Sequence, residues 1–249
     1  MKGPLIRKGQ FPGRPRQPVD VTMSRAAEPP TPDQALWVVI RNSAEALSFA
    51  VSRMLVETSV LAEGHWTRIV RYVRALAGAV TDEGEYGRLK DDVYLDMLAA
   101  VAPVYDVGLL AVPRNVLMKP DRLDPDERSV VQTHTTQGSE VLLAVAGRFA
   151  ADIPSLPMAA EVARGHHERW DGTGYPDMLA GTEIPLAARV VAIASVYDAL
   201  RSRRPHRPPL PHARAVKIIA AECAGQFDPA LLAAFTASSQ RFELIFQGG

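Results

Sequence analysis

The stretch "GHHERWDGTGYPD", Gly165 to Asp177, places two adjacent histidines beside an acid and runs on into a glycine-rich turn that ends in Tyr-Pro. Neighbours on a helix diverge by roughly 100°, so His166 and His167 cannot both lie on one buried stripe. A shared cation flanked by both rings gives the pair a reason. The end of a helix also favours positive charge, so two protonated surface imidazoles would suit the same place. Six histidines are present in all, and His65 and His134 also fall within or at the ends of predicted helices. Imidazole nitrogens combined with carboxylates suit Zn, Fe or Mn, and the residue types do not choose among them.

The elements that must carry these side chains are helices with legible ends. "TPDQ" supplies Thr31 as cap, Pro32 in the first turn and Gln34 in the capping-box place, opening a helix to about Glu57. "DPDE" repeats the grammar with Asp124, Pro125 and Glu127, and "DPAL" with Asp228 and Pro229. Apolar periodicity predicts further helices over 62–81, 89–105, 157–168, 187–202 and 212–224, with Gly225 as a stop. "LLAVP", Leu109 to Pro113, is too closely bounded to build a sheet. One all-α domain is expected.

Composition narrows the classes. Residues 1–32 hold seven prolines and six Lys or Arg with little apolar periodicity, which predicts a disordered tail over 1–31. Residues 32–60 read as an N-terminal helical extension, either a packing element or a dimerisation helix, since both want the same apolar stripe. A homodimer is therefore one expectation. With 28 basic and 28 acidic residues the net charge is zero, so nothing points to a nucleic acid polymer as partner. One cysteine, Cys223, excludes an internal disulfide and fits a reducing, cytoplasmic setting. No apolar run reaches the ~20 residues of a membrane span, and membrane insertion is not expected.

"HHERWDGTGYP", "IPLAARVVAIASVYDAL", "SRRPHR" and "GQFDPALLAAF", with "VYDVGLLAVPRNVLMKPDRLDPDERSVVQTHTTQGSEVL" upstream, resemble the HD-GYP family. These are bacterial HD-domain phosphohydrolases that cleave cyclic di-GMP, and the likeness covers about residues 60–236, with the domain taken as 61–240. It implies an all-α HD bundle. It also implies metal ligands at His65, Asp106, His134, His166 and His167, of which Asp106, His134, His166 and His167 would carry catalysis.

The same likeness exposes departures. Tyr105 stands where the His of the His-Asp doublet would be, Ser195 where a late ligand Asp would be, and Leu109 where a phosphate-binding Lys would be. Leu61 takes the place of the glutamate used by trinuclear members. One ion is therefore expected rather than two, because two ions a few ångströms apart generate and clamp the attacking hydroxide in such enzymes. Substrate contacts carried over are Asp198, Arg204, Arg207 and an exposed Tyr175, although the arginines would equally suit a solvated basic loop. The implied partners are cyclic di-GMP and a GGDEF-type diguanylate cyclase domain. Three readings result: a degenerate domain that binds nucleotide or a protein with weak or no hydrolysis, an active phosphodiesterase with an altered metal site, and a pure interaction module.

Overall fold

The computed structural model describes residues 32–57, 61–149, 152–203, 208–222 and 224–248. The tail, Thr31, Arg204, Arg207 and Cys223 lie outside the described residues. Among the described residues there is no β-strand, only a bridge between Asp171 and Ala180. The helices are α1 (Pro32–Glu57), α2 (His65–Ala77), α3 (Asp92–Val101), α4 (Arg114–Leu117), α5 (Pro125–Gln132), α6 (His134–Phe149), α7 (Leu156–Gly165), α8 (Leu186–Arg201), α9 (His212–Lys217) and α10 (Pro229–Gln247).

The caps explain where several of these begin. Asp124 accepts from the Glu127 amide while the Glu127 carboxylate accepts from the Asp124 amide, a complete capping box for α5. Asp228 accepts from the amides of Ala230 and Leu231 and starts α10. Its second oxygen accepts from Arg189 at 2.7 Å, and Arg189 also pairs with Glu85. That buried network fastens α8 to both the start of α10 and the 3-10 turn Glu85–Lys90. Breaking such a pair from one side costs roughly 3–5 kcal/mol, because a charge is then buried alone.

α8 is apolar on nearly every face and runs through the middle, with α2, α7, α9 and α10 around it. Tyr72 stacks on Phe242 at 4.7 Å, and Tyr197 and Phe235 meet Phe242 edge-on, closing the core between α2, α8 and α10. A second core joins α1, α3, α6 and α7 through small side chains, among them Ala44, Ala100, Ala159, Ala160 and Ala163. α1 buries a stripe of Ala44, Ser48, Ser52 and Leu55 and donates from Ser48 to the Ala100 carbonyl. The apolar stretch Asp92–Ala111 is folded into this interior.

Two local expectations needed correction. The helix expected over 212–224 is α9 followed by a π-turn, Ile218–Glu222. α7 stops at Gly165, so His166 is its C-cap and His167 lies one residue beyond, rather than both sitting in the last turn. "LLAVP" forms no strand, as expected; its residues 109–111 end a 3-10 turn, Val107–Ala111. There Gly108 touches the start of α6 so closely that an added Cβ would stand 1.9 Å from the His134 carbonyl oxygen. Only glycine allows that approach, and it sets Asp106 beside His134.

Candidate metal centre and its cleft

Three chain segments converge. Asp106 lies between two 3-10 turns, His134 opens α6, and His166 and His167 follow α7. One Asp106 oxygen stands 3.4 Å from His134 Nε2 and 3.5 Å from His166 Nε2, and the two Nε2 atoms are 3.4 Å apart. With His167 included, one ligand atom from each residue lies within 4.8 Å of every other. Asp106, His134 and His166 are buried, and His167 is half-buried.

The hydrogen bonds behind the rings decide what this cluster wants. His134 Nδ1 is 2.6 Å from the Val131 carbonyl, and His166 Nδ1 is 3.0 Å from the Ala163 carbonyl. Carbonyls only accept, so each Nδ1 carries the proton and each neutral ring turns a bare Nε2 lone pair inward. Two lone pairs and a carboxylate then face one another inside the protein. Two nitrogen ligands about 2.1 Å from one ion at a tetrahedral angle stand roughly 3.4 Å apart, so the donor set fits a divalent cation. Burial alone would raise the Asp106 carboxyl, but the imidazoles of His166, His134 and His167 packed around it hold it well below the ordinary carboxylate range. Burial pushes His134 below its ordinary value, which favours the neutral, ligating ring.

The other residues expected at the site are placed differently. His65, at the start of α2, is not among the four convergent donors. Its Nδ1 is 2.9 Å from an Asp198 oxygen, and Arg68 Nε donates to the other Asp198 oxygen at 2.6 Å. The His65 Nε2 is buried with no hydrogen-bond partner among the described residues. Asp198 is thus buried in an ion-paired network with α2. The Tyr105 ring stands between His65 and His166, with centroids 5.7 and 4.8 Å away. Ser195 donates its hydroxyl back to the Ala192 carbonyl at 3.0 Å. Tyr105 and Ser195 thus present a phenol and an alcohol beside the cluster.

A cleft of about 260 Å³ opens beside the cluster. Asp106, His134 and His167 line one end, and Leu109, Val131, Val196 and Ala199 make the wall apolar. Tyr175 also lines it. The expectation that Tyr175 is exposed is overturned: its ring is half-buried and stacks on His167 at 4.8 Å and 20°. Burial, and then the Asp106 charge, push its phenol well above the ordinary tyrosine value. Arg203 lines a neighbouring crevice with His65, Tyr105 and Asp198.

The turn that carries Tyr175 is tightly built. Asp171 accepts from the Thr173 amide and hydroxyl and from Arg169. Gly172 takes φ +74°, and a Cβ on Gly174 would fall 2.4 Å from the Arg169 nitrogen. Glu168, Arg68 and Gly108 had drawn no role from the sequence. The acid of "HHE" was the one signal that pointed to any of them.

A family model described as HD domain matches residues 51–231. The chain belongs to the HD domain family. A cyclic di-GMP phosphodiesterase of Vibrio cholerae is 39% identical over 77% of this chain and 40% of its own length. A cyclic di-GMP phosphodiesterase response regulator of Xanthomonas campestris is 35% identical over 74% of this chain and 46% of its own. A 3'3'-cGAMP-specific phosphodiesterase of Vibrio cholerae is 32% identical over 79% and 35%. These relatives bear out the HD-GYP resemblance of this HD domain, and the helical architecture agrees with it. The chain spans less than half the length of the curated relatives it matches.

Proposed function

We propose that this HD-GYP domain serves cyclic di-GMP signalling by binding, holding one divalent ion (Fe, Mn or Zn) at Asp106, His134, His166 and His167 and hydrolysing the dinucleotide weakly or not at all. The observation that carries this reading is the contrast between the two halves of the site. Four donors converge, two of them, His134 and His166, backed by carbonyl hydrogen bonds, whereas Ser195 spends its hydroxyl on its own helix. A divalent ion in such a site supplies positive charge to a phosphoryl oxygen and acidifies a bound water, and a pair of ions does so far better than one. In this chain the Asp106 carboxylate and the inward Nε2 atoms hold that charge. The wall of Leu109, Val131 and Val196 takes apolar surface of the bound nucleotide and keeps water away, and Tyr175 offers a ring to a base.

The test is turnover. Purified protein loaded with Mn or Fe is incubated with cyclic di-GMP, and linear dinucleotide and GMP are quantified. Binding with turnover at least a thousandfold below an ordinary enzymatic rate of about 10 per second supports the reading. An ordinary rate would refute it.

The alternative is an active phosphodiesterase with an altered centre. It draws on the 39% identity to a relative bearing that name and on the buried, unpartnered Nε2 of His65. In that reading Asp106→Ala and His166→Ala must abolish turnover. Docking of a GGDEF-type domain is proposed for the Tyr175 turn on the resemblance alone.

A further inference from the structure

Glu168 comes directly after the two imidazoles of the cluster and is 2% exposed. Its carboxylate accepts from the Asp177 amide at 2.7 Å through one oxygen and from the Leu179 amide at 3.1 Å through the other. Met178 lies between those amides at φ 57°, the one non-glycine residue with positive φ among the described residues, and its side chain is 70% exposed. A left-handed conformation is disfavoured for a residue with a Cβ. Packing of an exposed side chain cannot offset that. Two charge-assisted hydrogen bonds to a buried carboxylate can, and the left-handed turn is what brings both amides toward it.

What this clamp holds is the path of the chain from the cluster out and back. Tyr175 lies on that path, its amide is 3.3 Å from the His167 carbonyl, and its ring stacks on the His167 ring. His134 and His166 are oriented from behind by backbone carbonyls. The His167 ring is stacked on Tyr175 and touches His166 at 4.2 Å and His134, edge-on, at 5.2 Å. A second tie, Arg164 to Asp177, sits at the surface, where screening leaves it little strength.

We propose that Glu168 is a positioning residue of the metal centre, holding Tyr175 against His167 through the left-handed turn at Met178 and so fixing the fourth ligand. The proposal rests on the reading of the four-residue cluster as a cation site. In Glu168→Gln the amide group turns an N–H toward a backbone N–H, so one of the two bonds is lost.

The experiment compares the full chain with E168Q, M178G and the E168Q/M178G double variant. The first readout is the ring-current shift of the His167 protons in ion-free protein, which reports the Tyr175 stack without any metal. The second is Mn²⁺ affinity by calorimetry. E168Q is expected to lose the ring-current shift and to bind Mn²⁺ about tenfold more weakly, within the range for outer partners of metal ligands. M178G alone keeps both. In the double variant, glycine adopts the left-handed turn without help and recovers most of both losses. An E168Q protein with an intact shift and Mn²⁺ affinity within about twofold of the parent overturns the proposal, as does a loss that M178G leaves unrelieved. If the parent takes up no Mn²⁺, the cation-site reading fails and the fourth-ligand role falls with it, while the ring-current shift still decides whether Glu168 holds Tyr175 on His167.

Discussion

His134 and His166 face each other with their Nε2 atoms 3.4 Å apart, and the proton of each neutral ring is held on the far side by a backbone carbonyl. Beside the Asp106 carboxylate, that opposition of lone pairs is relieved by a cation. Ion binding should therefore stabilise the fold measurably. At about one hundred times its dissociation constant, an ion adds about 2.7 kcal/mol, or roughly 5–10 °C in melting temperature for a chain of this size. Calorimetric melts with and without Mn²⁺ check this, and His166→Ala is expected to show no ion-dependent rise.

The second position should be recoverable by restoring ligand chemistry. Tyr105→His with Ser195→Asp places an imidazole and a carboxylate next to His65 and Asp106, where the family resemblance implies them. The double variant is expected to raise ion content toward two per chain and hydrolysis of cyclic di-GMP at least tenfold, since two ions clamp attacking and leaving oxygens together. Unchanged ion content and turnover would show that these two replacements are not what limits the site.

Leu109 lines the cleft beside the cluster. Leu109→Lys should tighten cyclic di-GMP binding about tenfold at low salt, because a lysine stem can lie along the apolar wall with its ammonium at a phosphate. The gain should shrink as salt is raised. Calorimetry at two ionic strengths measures both parts.

Acid should loosen the network behind His65. Hydrogen bonds from His65 and Arg68 outweigh the burial that would raise the Asp198 carboxyl, and lower it to about 2. A depressed carboxylate stabilises the fold above its unfolded value, near 3.9, and that contribution disappears as pH falls through the folded value. The stake is about 2 kcal/mol between roughly pH 4 and pH 2. Urea unfolding across that range should show the slope. Asp198→Asn should flatten it while lowering stability at neutral pH, where Arg68 would be buried without its counter-charge.

The parts of this fold legible in the sequence are those governed by nearby residues. The Asp124–Glu127 box and the Asp228 cap are complete within four residues, and the apolar run of α8 announces a central helix whatever surrounds it. The 3-10 turns around Asp106 have no period to detect, and nothing in "VVQTH" breaks a helix, although α5 and α6 are separate at Thr133. The cluster itself emerged from the adjacency of His166 and His167 and from family likeness. Partners far apart in the chain stayed hidden: Asp198 meets His65 and Arg68 across more than a hundred residues. Tyr175 looked exposed because its burial comes from the His167 ring, at a distance periodicity cannot see.

The most direct test of the account is the number of metal ions per folded chain, obtained by elemental analysis of protein purified, loaded with Mn, Fe or Zn, and desalted. The account predicts one, lost in the His166→Ala variant. Two ions per chain would contradict it by restoring the full hydrolytic pair, and none would contradict it by emptying the cluster of its purpose.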